Sequence, residues 1–124
     1  MADVIVIDDR VTNRNVLTRL AASVEEGVRV KAFASPQAAL DWVRSAMPDL
    51  VITDFKMPGM DGADFTRAFR ALPGAAEVPV VVVTVYEERS YCYQALEAGA
   101  TDFLLSPVDH HESVSYTHLT LPTT

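Results

Sequence analysis

DLVITDFKMPGMDG, running from Asp49 to Gly62, is the stretch around which the chain is built. Leu50-Val51-Ile52 is an apolar run bounded by polar residues, the pattern of a strand buried on both faces. After Thr53 and Asp54 the run stops. Met57-Pro58-Gly59-Met60-Asp61-Gly62 cannot prolong a strand, because Pro58 has no N–H for a ladder and the glycines admit positive φ. Asp54 is therefore expected at the carboxyl end of a buried strand with a tight loop above it. In open α/β sheets that edge is where ligands and chemistry gather.

Outward from this stretch, strands and helices alternate. Val4-Ile5-Val6-Ile7 is a second apolar run and ends in Asp8-Asp9. A helix follows, with Thr12 as its expected cap, Leu17, Leu20, Ala21 and Val24 as its buried stripe and Gly27 as its end. Asn13 and Arg14 read as helix-start and surface residues. Val28 to Phe33 is a strand by its alternation. Ser35-Pro36 opens a helix through a capping hydroxyl and a proline at the first helical position; Ala39, Leu40, Val43 and Met47 continue it to Pro48. Past the central loop, Asp61 or Gly62 starts a helix whose Phe65, Ala68, Phe69 and Leu72 lie at i, i+3, i+4 and i+7. Pro79 precedes Val80-Val81-Val82-Val83-Thr84, β-branched throughout. Glu87 to Ala98 is the next helix, with Cys92, Ala95 and Leu96 inward and Gly99 as cap, and Thr101 to Leu105 is a short last strand. The order βαβαβαβαβ predicts a parallel sheet covered by helices on both faces.

Composition sets bounds on function. With 124 residues, 49% of them hydrophobic, the chain is one domain with a core to bury. Its formal charge of −7 argues against direct binding of nucleic acid. A single cysteine, Cys92, forms no internal disulfide and fits a reducing, cytoplasmic setting. No apolar run approaches the ~18 residues of a membrane span, and Met1-Ala2-Asp3 lacks the basic start of a signal peptide. His110, His111 and His118 have no metal-ligand spacing with a cysteine and read as solvated.

The carboxyl-terminal segment breaks the pattern. A closing helix is expected after Glu112, but the chain reads SVSYTHLTLPTT, with no helical stripe. The domain is accordingly placed at residues 1–112, and 113–124 is read as an irregular, non-native or frayed tail. A sheet lacking its last helix would expose an apolar flank, which predicts self-association there.

Three carboxylates end two strands that a doubly wound sheet makes neighbours: Asp8 and Asp9 after the first, Asp54 after the third. Such acids at close range do not all stay ionised without a cation, and hard oxygen donors suit Mg²⁺. Thr84 ends the adjacent fourth strand, where its hydroxyl can donate to an oxygen held at Asp54. A nucleophilic carboxylate, a divalent-metal site and a hydroxyl donor are equipment for phosphoryl transfer.

These residues also carry a resemblance. IDDR at Ile7 to Arg10, TDFKMPGMDG from Thr53, VTVY around Thr84 and AGATDFLLSPV from Ala98 to Val108 resemble the receiver domain of bacterial two-component response regulators. The resemblance implies a flavodoxin-like, doubly wound five-stranded parallel sheet. It implies phosphorylation of Asp54 by a histidine kinase or phosphotransfer protein, and a switched protein-interaction face rather than an enzyme acting on a separate substrate. It implies Mg²⁺ at Asp8, Asp9, Asp54 and the Lys56 backbone carbonyl, and Thr84 with Phe103 as the switch pair.

One position departs from the family. Ser106 stands before Pro107 where the family has a lysine, so the ammonium that bridges the phosphoacceptor is missing. Lys56 is the nearest cation in sequence; its side chain either points to solvent or leans over the site. Other functions fit less well. There is no GxxxxGK[ST] run for a nucleotide-binding loop, and Asp8-Asp9-Arg10 replaces the hydroxyl-rich loop of a flavodoxin. An aspartyl-phosphate hydrolase would want an acid where Lys56 stands. The rival reading is an unphosphorylated receiver that acts as a dimerisation or docking module.

Overall fold

The computed structural model describes residues 2–24, 26–85 and 89–106. Strands β1 (Asp3–Ile7), β2 (Arg29–Phe33), β3 (Leu50–Asp54), β4 (Val80–Val85) and β5 (Asp102–Ser106) alternate with helices α1 (Val11–Ala22), α2 (Pro36–Val43), α3 (Gly62–Arg70) and α4 (Arg89–Ala98). All strand pairs are parallel, and the sheet order is β2-β1-β3-β4-β5. This is the flavodoxin-like doubly wound order, whose direction reverses between β1 and β3. The reversal places the carboxyl ends of β1 and β3 side by side, with Ile7 in register with Thr53.

Each sheet face has its own core. On one, Ile5, Ile7, Val51, Val80 and Val82 pack with Leu40 and Val43 of α2, Phe65 and Phe69 of α3 and Ala95 of α4. On the other, Val4, Val6, Ile52 and Val83 pack with Leu17 and Ala21 of α1. Phe65 and Phe69 are fully buried and stacked at 5.9 Å, so truncating either to alanine costs about 3–5 kcal/mol. No helix among the described residues is long and apolar enough to cross a membrane.

The caps confirm some expectations and revise others. Ser35 caps α2 by accepting from the Ala38 N–H, with Pro36 in the first turn. Asp61 and Asp64 form a reciprocal capping box that starts α3. Gly99, at φ 113, ends α4, with bonds from its N–H to Leu96 and from the Ala100 N–H to Ala95. Thr12, in contrast, is not the cap of α1. The Asp8 carboxylate accepts from the Arg10 N–H at 2.9 Å, so the turn closes earlier and Thr12 falls inside the helix. Helix α1 ends at Ala22, which leaves Val24 59% exposed and Gly27 in the turn before β2. In α2 the Ser45 N–H and hydroxyl both donate to the Trp42 carbonyl; the helix stops at Val43, before Met47 and Pro48. Leu96 faces outward because the buried row of α4 runs through Cys92, Ala95 and Ala98. The expected start of α4 at Glu87, the absent closing helix, the tail 113–124, the three histidines and self-association through that flank all fall on or depend on residues outside the described ones.

Candidate functional site

The carboxyl edge of the sheet gathers the predicted acids. Val4, Ile5, Val6 and Ile7 are buried, which fixes β1 and sets Asp8 at its end, where the Asp8 N–H donates to the Phe33 carbonyl of β2. Asp54 closes β3 in register with Val83 of β4, and the next residue, Phe55, extends that pairing by donating to the Val83 carbonyl. One carboxylate oxygen from each of Asp8, Asp9 and Asp54 falls within 4.8 Å of the others. Asp8 and Asp54 are buried, whereas Asp9 faces solvent.

Burial decides the electrostatics. Desolvation pushes the Asp54 carboxyl up to about 7, the charge of Asp8 pushes the same way, and the Arg10 guanidinium pulls back. Asp8 is also raised by burial, against the Arg10 N–H bond and the Arg10 charge. Two oxygens complete the arrangement. Asp54 Oδ2 and Thr84 Oγ1 are buried and have no hydrogen-bond partner. An unpaired carboxylate oxygen is costly in a protein interior, and a cation or a donor is what removes the cost.

The loop above the site is shaped by backbone. Gly62 donates to the Phe55 carbonyl at 2.6 Å, and a Cβ on Gly62 would lie 2.8 Å from the Asp54 carbonyl oxygen. Gly59 takes φ 82, as the turn requires. Phe55 stacks flat on Tyr91 of α4, with ring centroids 4.3 Å apart. Asp54 is thus joined through its neighbour to the helix beyond β4.

The remaining predicted residues are placed as follows. Lys56 is exposed on the loop. Phe103 is half-buried on β5, where it is in register with Val82. Ser106 ends β5 opposite Val85, while its side chain and Pro107 lie outside what is described. Asn13 and Arg14, read from the sequence as helix-start and surface residues, both take part in the turn beside the acids. Arg14 Nη1 donates to the Asp8 carbonyl at 2.9 Å, and the Asn13 amide oxygen, in its better-bonded orientation, accepts from Arg10. The signal for Arg10 was its place directly after the acid pair.

The sequence matches the response regulator receiver domain model over residues 4–117. The chain belongs to the response regulator receiver family. This receiver domain is 33% identical over 110 residues to the cyclic di-GMP phosphodiesterase response regulator RpfG of Xanthomonas campestris, a match that covers 89% of the chain but only 29% of that relative. A crystal structure described as a response regulator from Chloroflexus aurantiacus superposes with a TM-score of 0.79 at 28% identity, covering 94% of this chain and 93% of that one. The receiver domain of a sensor histidine kinase from Pseudomonas aeruginosa, at 24% identity and a TM-score of 0.75, covers 95% of this chain and 96% of its own, and holds a magnesium ion in its active site cleft. The acid cluster of this receiver domain fits a phosphoacceptor site.

Proposed function

We propose that Asp54 accepts a phosphoryl group from the phosphohistidine of a histidine kinase or phosphotransfer protein and that the resulting state switches a protein-interaction face. The observation that carries this reading is the unpartnered, buried Oδ2 of Asp54 inside a cluster of three acids. Asp54 attacks phosphorus as the phosphorus–nitrogen bond to the donor breaks. Thr84 Oγ1, also unpartnered, donates to a phosphoryl oxygen.

The donor set fits a hard divalent cation: three carboxylates with oxygens within 4.8 Å, one of them open to water. Asp8, Asp9, Asp54 and the Lys56 backbone carbonyl would hold Mg²⁺, which supplies charge neutralisation at the transferring group. Phe103, on the strand beside β4, would follow the Thr84 hydroxyl and carry the change to the outer face of β5. The domain is taken to work in the cytoplasm through protein partners, without direct contact with nucleic acid, and to serve as a phosphoryl acceptor rather than an enzyme acting on a separate substrate. The intact acid cluster speaks against the docking-only alternative.

The test is incubation with acetyl phosphate and Mg²⁺, followed by mass spectrometry. One phosphoryl group on Asp54, absent from Asp54→Asn, is the expected result. An unlabelled parent, or a label that persists in Asp54→Asn, overturns the assignment.

A further inference from the structure

We propose that the Arg10 guanidinium is the cation that faces the phosphoryl group in this domain and does the work for which Ser106 is too short and uncharged. The inference rests on Asp54 being the phosphoacceptor. It deepens that reading by naming a residue of the site to which neither the motifs nor the family match gives a role.

The need comes from charge. A phosphoryl group adds about two negative charges to a cluster of three carboxylates, and a divalent ion leaves a surplus. The place of Arg10 comes from its hydrogen bonds and its backbone. Its N–H donates to Asp8 Oδ1 at 2.9 Å, which fixes its Cα beside the acids. Its φ of −99 and ψ of 127 make it the extended residue before α1, on the turn that follows the acid pair. Its Nε and Nη2 reach the Asn13 amide oxygen, one turn along α1.

Among the described residues, Arg10 forms no salt bridge, unlike Arg29, Arg44 and Arg67. An exposed guanidinium parked on a neutral amide is released at little cost when a better acceptor arrives. Its planar fork matches two oxygens of a phosphoryl group, which a lysine ammonium does not. Arg10 is also the one cation among the leading influences on the Asp54 carboxyl, and it acts on Asp8 as well. Lys56 is not among them. Asn13 is a positioning residue in this scheme, and Arg10 touches the phosphoryl oxygens.

The experiment compares the parent, Arg10→Ala, Arg10→Lys and Asn13→Ala, each first shown to be folded by circular dichroism. Initial rates of Asp54 labelling by acetyl phosphate are read at saturating Mg²⁺, and Mg²⁺ affinity is read separately by calorimetry without phosphodonor. Arg10→Ala is expected to label about tenfold more slowly, the worth of one charge-assisted hydrogen bond. Arg10→Lys recovers part of the loss, and Asn13→Ala, which removes only the resting partner of the guanidinium, slows labelling by less than Arg10→Ala does. Without the repelling guanidinium, Arg10→Ala binds Mg²⁺ severalfold more tightly. Labelling of Arg10→Ala at the parent rate overturns the proposal, as does a slowed rate that Arg10→Lys leaves unrepaired, or unchanged Mg²⁺ affinity in Arg10→Ala. A parent that labels beside an unslowed Arg10→Ala removes the Arg10 role alone. A parent that never labels removes the phosphorylation reading, and this inference with it.

Discussion

Asp54 Oδ2 and Thr84 Oγ1 lie toward the carboxyl ends of neighbouring strands, and each is buried without a hydrogen-bond partner. Thr84 follows Val83, the register partner of Asp54, so the two orphans belong to one edge of the sheet. Thr84→Val keeps the shape and removes the hydroxyl. Because the oxygen has no partner to lose, the variant should be as stable as the parent or up to about 1–2 kcal/mol more stable without ligands. With Mg²⁺ and beryllofluoride, a phosphoryl mimic, the parent should gain more in melting temperature than the variant. Equal gains would show that the hydroxyl does not meet the phosphoryl position.

The raised carboxyl of Asp54 makes stability depend on pH. The folded state holds its proton to about 7, against an ordinary value of 3.8, so it binds more protons than the unfolded chain across that window. Stability should therefore fall as pH rises from about 4 to about 7 and stay low above that range. Asp54→Asn removes the charge. In Mg²⁺-free buffer at pH 8 it should exceed the parent by on the order of 4 kcal/mol, the worth of a shift from 3.8 to about 7. The two should converge near pH 4, and urea unfolding at several pH values checks this. Parallel curves from pH 4 to pH 8 would mean the carboxylate is not penalised by burial.

Metal binding should act on the same strain from the other side. Mg²⁺ takes the ionised carboxylates, so its affinity should weaken as pH falls below about 7, where Asp54 regains its proton. Asp9 is the solvent-facing acid, and Asp9→Asn disturbs the buried pair least. Its Mg²⁺ affinity should drop by at least about tenfold, since even an outer-shell partner is worth that much. Calorimetry at pH 8 decides it. Equal affinity in variant and parent would move the ion away from Asp9.

The inner strands β1, β3 and β4 were readable because they are buried on both faces and so appear as unbroken apolar runs, Val80 to Thr84 the plainest, whereas β2 is mostly exposed and showed only as an alternation. The acids were readable for the same reason, since Asp8 and Asp54 fall where such runs stop. Helix ends were less so. Whether Thr12 or Arg10 begins α1 depends on a bond from the Asp8 carboxylate, a tertiary detail that no local pattern carries. Side-chain roles away from the strand ends were not readable. Arg70 lies on the polar side of a well-formed helical pattern, yet it donates to the carbonyls of Gly99, Ala75 and Val78 and ties α3 to two loops. Arg10 and Asn13 are similar: their partnership exists because the β1–α1 turn is tight, and the sequence shows only two polar residues three apart.

Gly62 tests how closely the loop is moulded to the strand that carries Asp54. It is the first residue of α3, and its φ is not in the left-handed region, so conformational freedom does not explain why a glycine is needed. Space does. A Cβ there would lie 2.8 Å from the Asp54 carbonyl oxygen and 2.9 Å from the Phe55 Cα, both backbone atoms that cannot swing aside. Gly59 is the converse, with φ 82 and nothing within 4 Å of an added Cβ. Gly59→Ala should cost about 1–2 kcal/mol through its backbone alone and leave Mg²⁺ affinity intact. Gly62→Ala should cost about 1–3 kcal/mol through overpacking. It should also weaken Mg²⁺ binding, because the displaced atoms belong to Asp54 and its neighbour. Urea unfolding and calorimetry on the two variants separate the mechanisms. A Gly62→Ala protein with parental stability and parental Mg²⁺ affinity would show that α3 can back away from β3, and that the glycine does not set the position of Asp54.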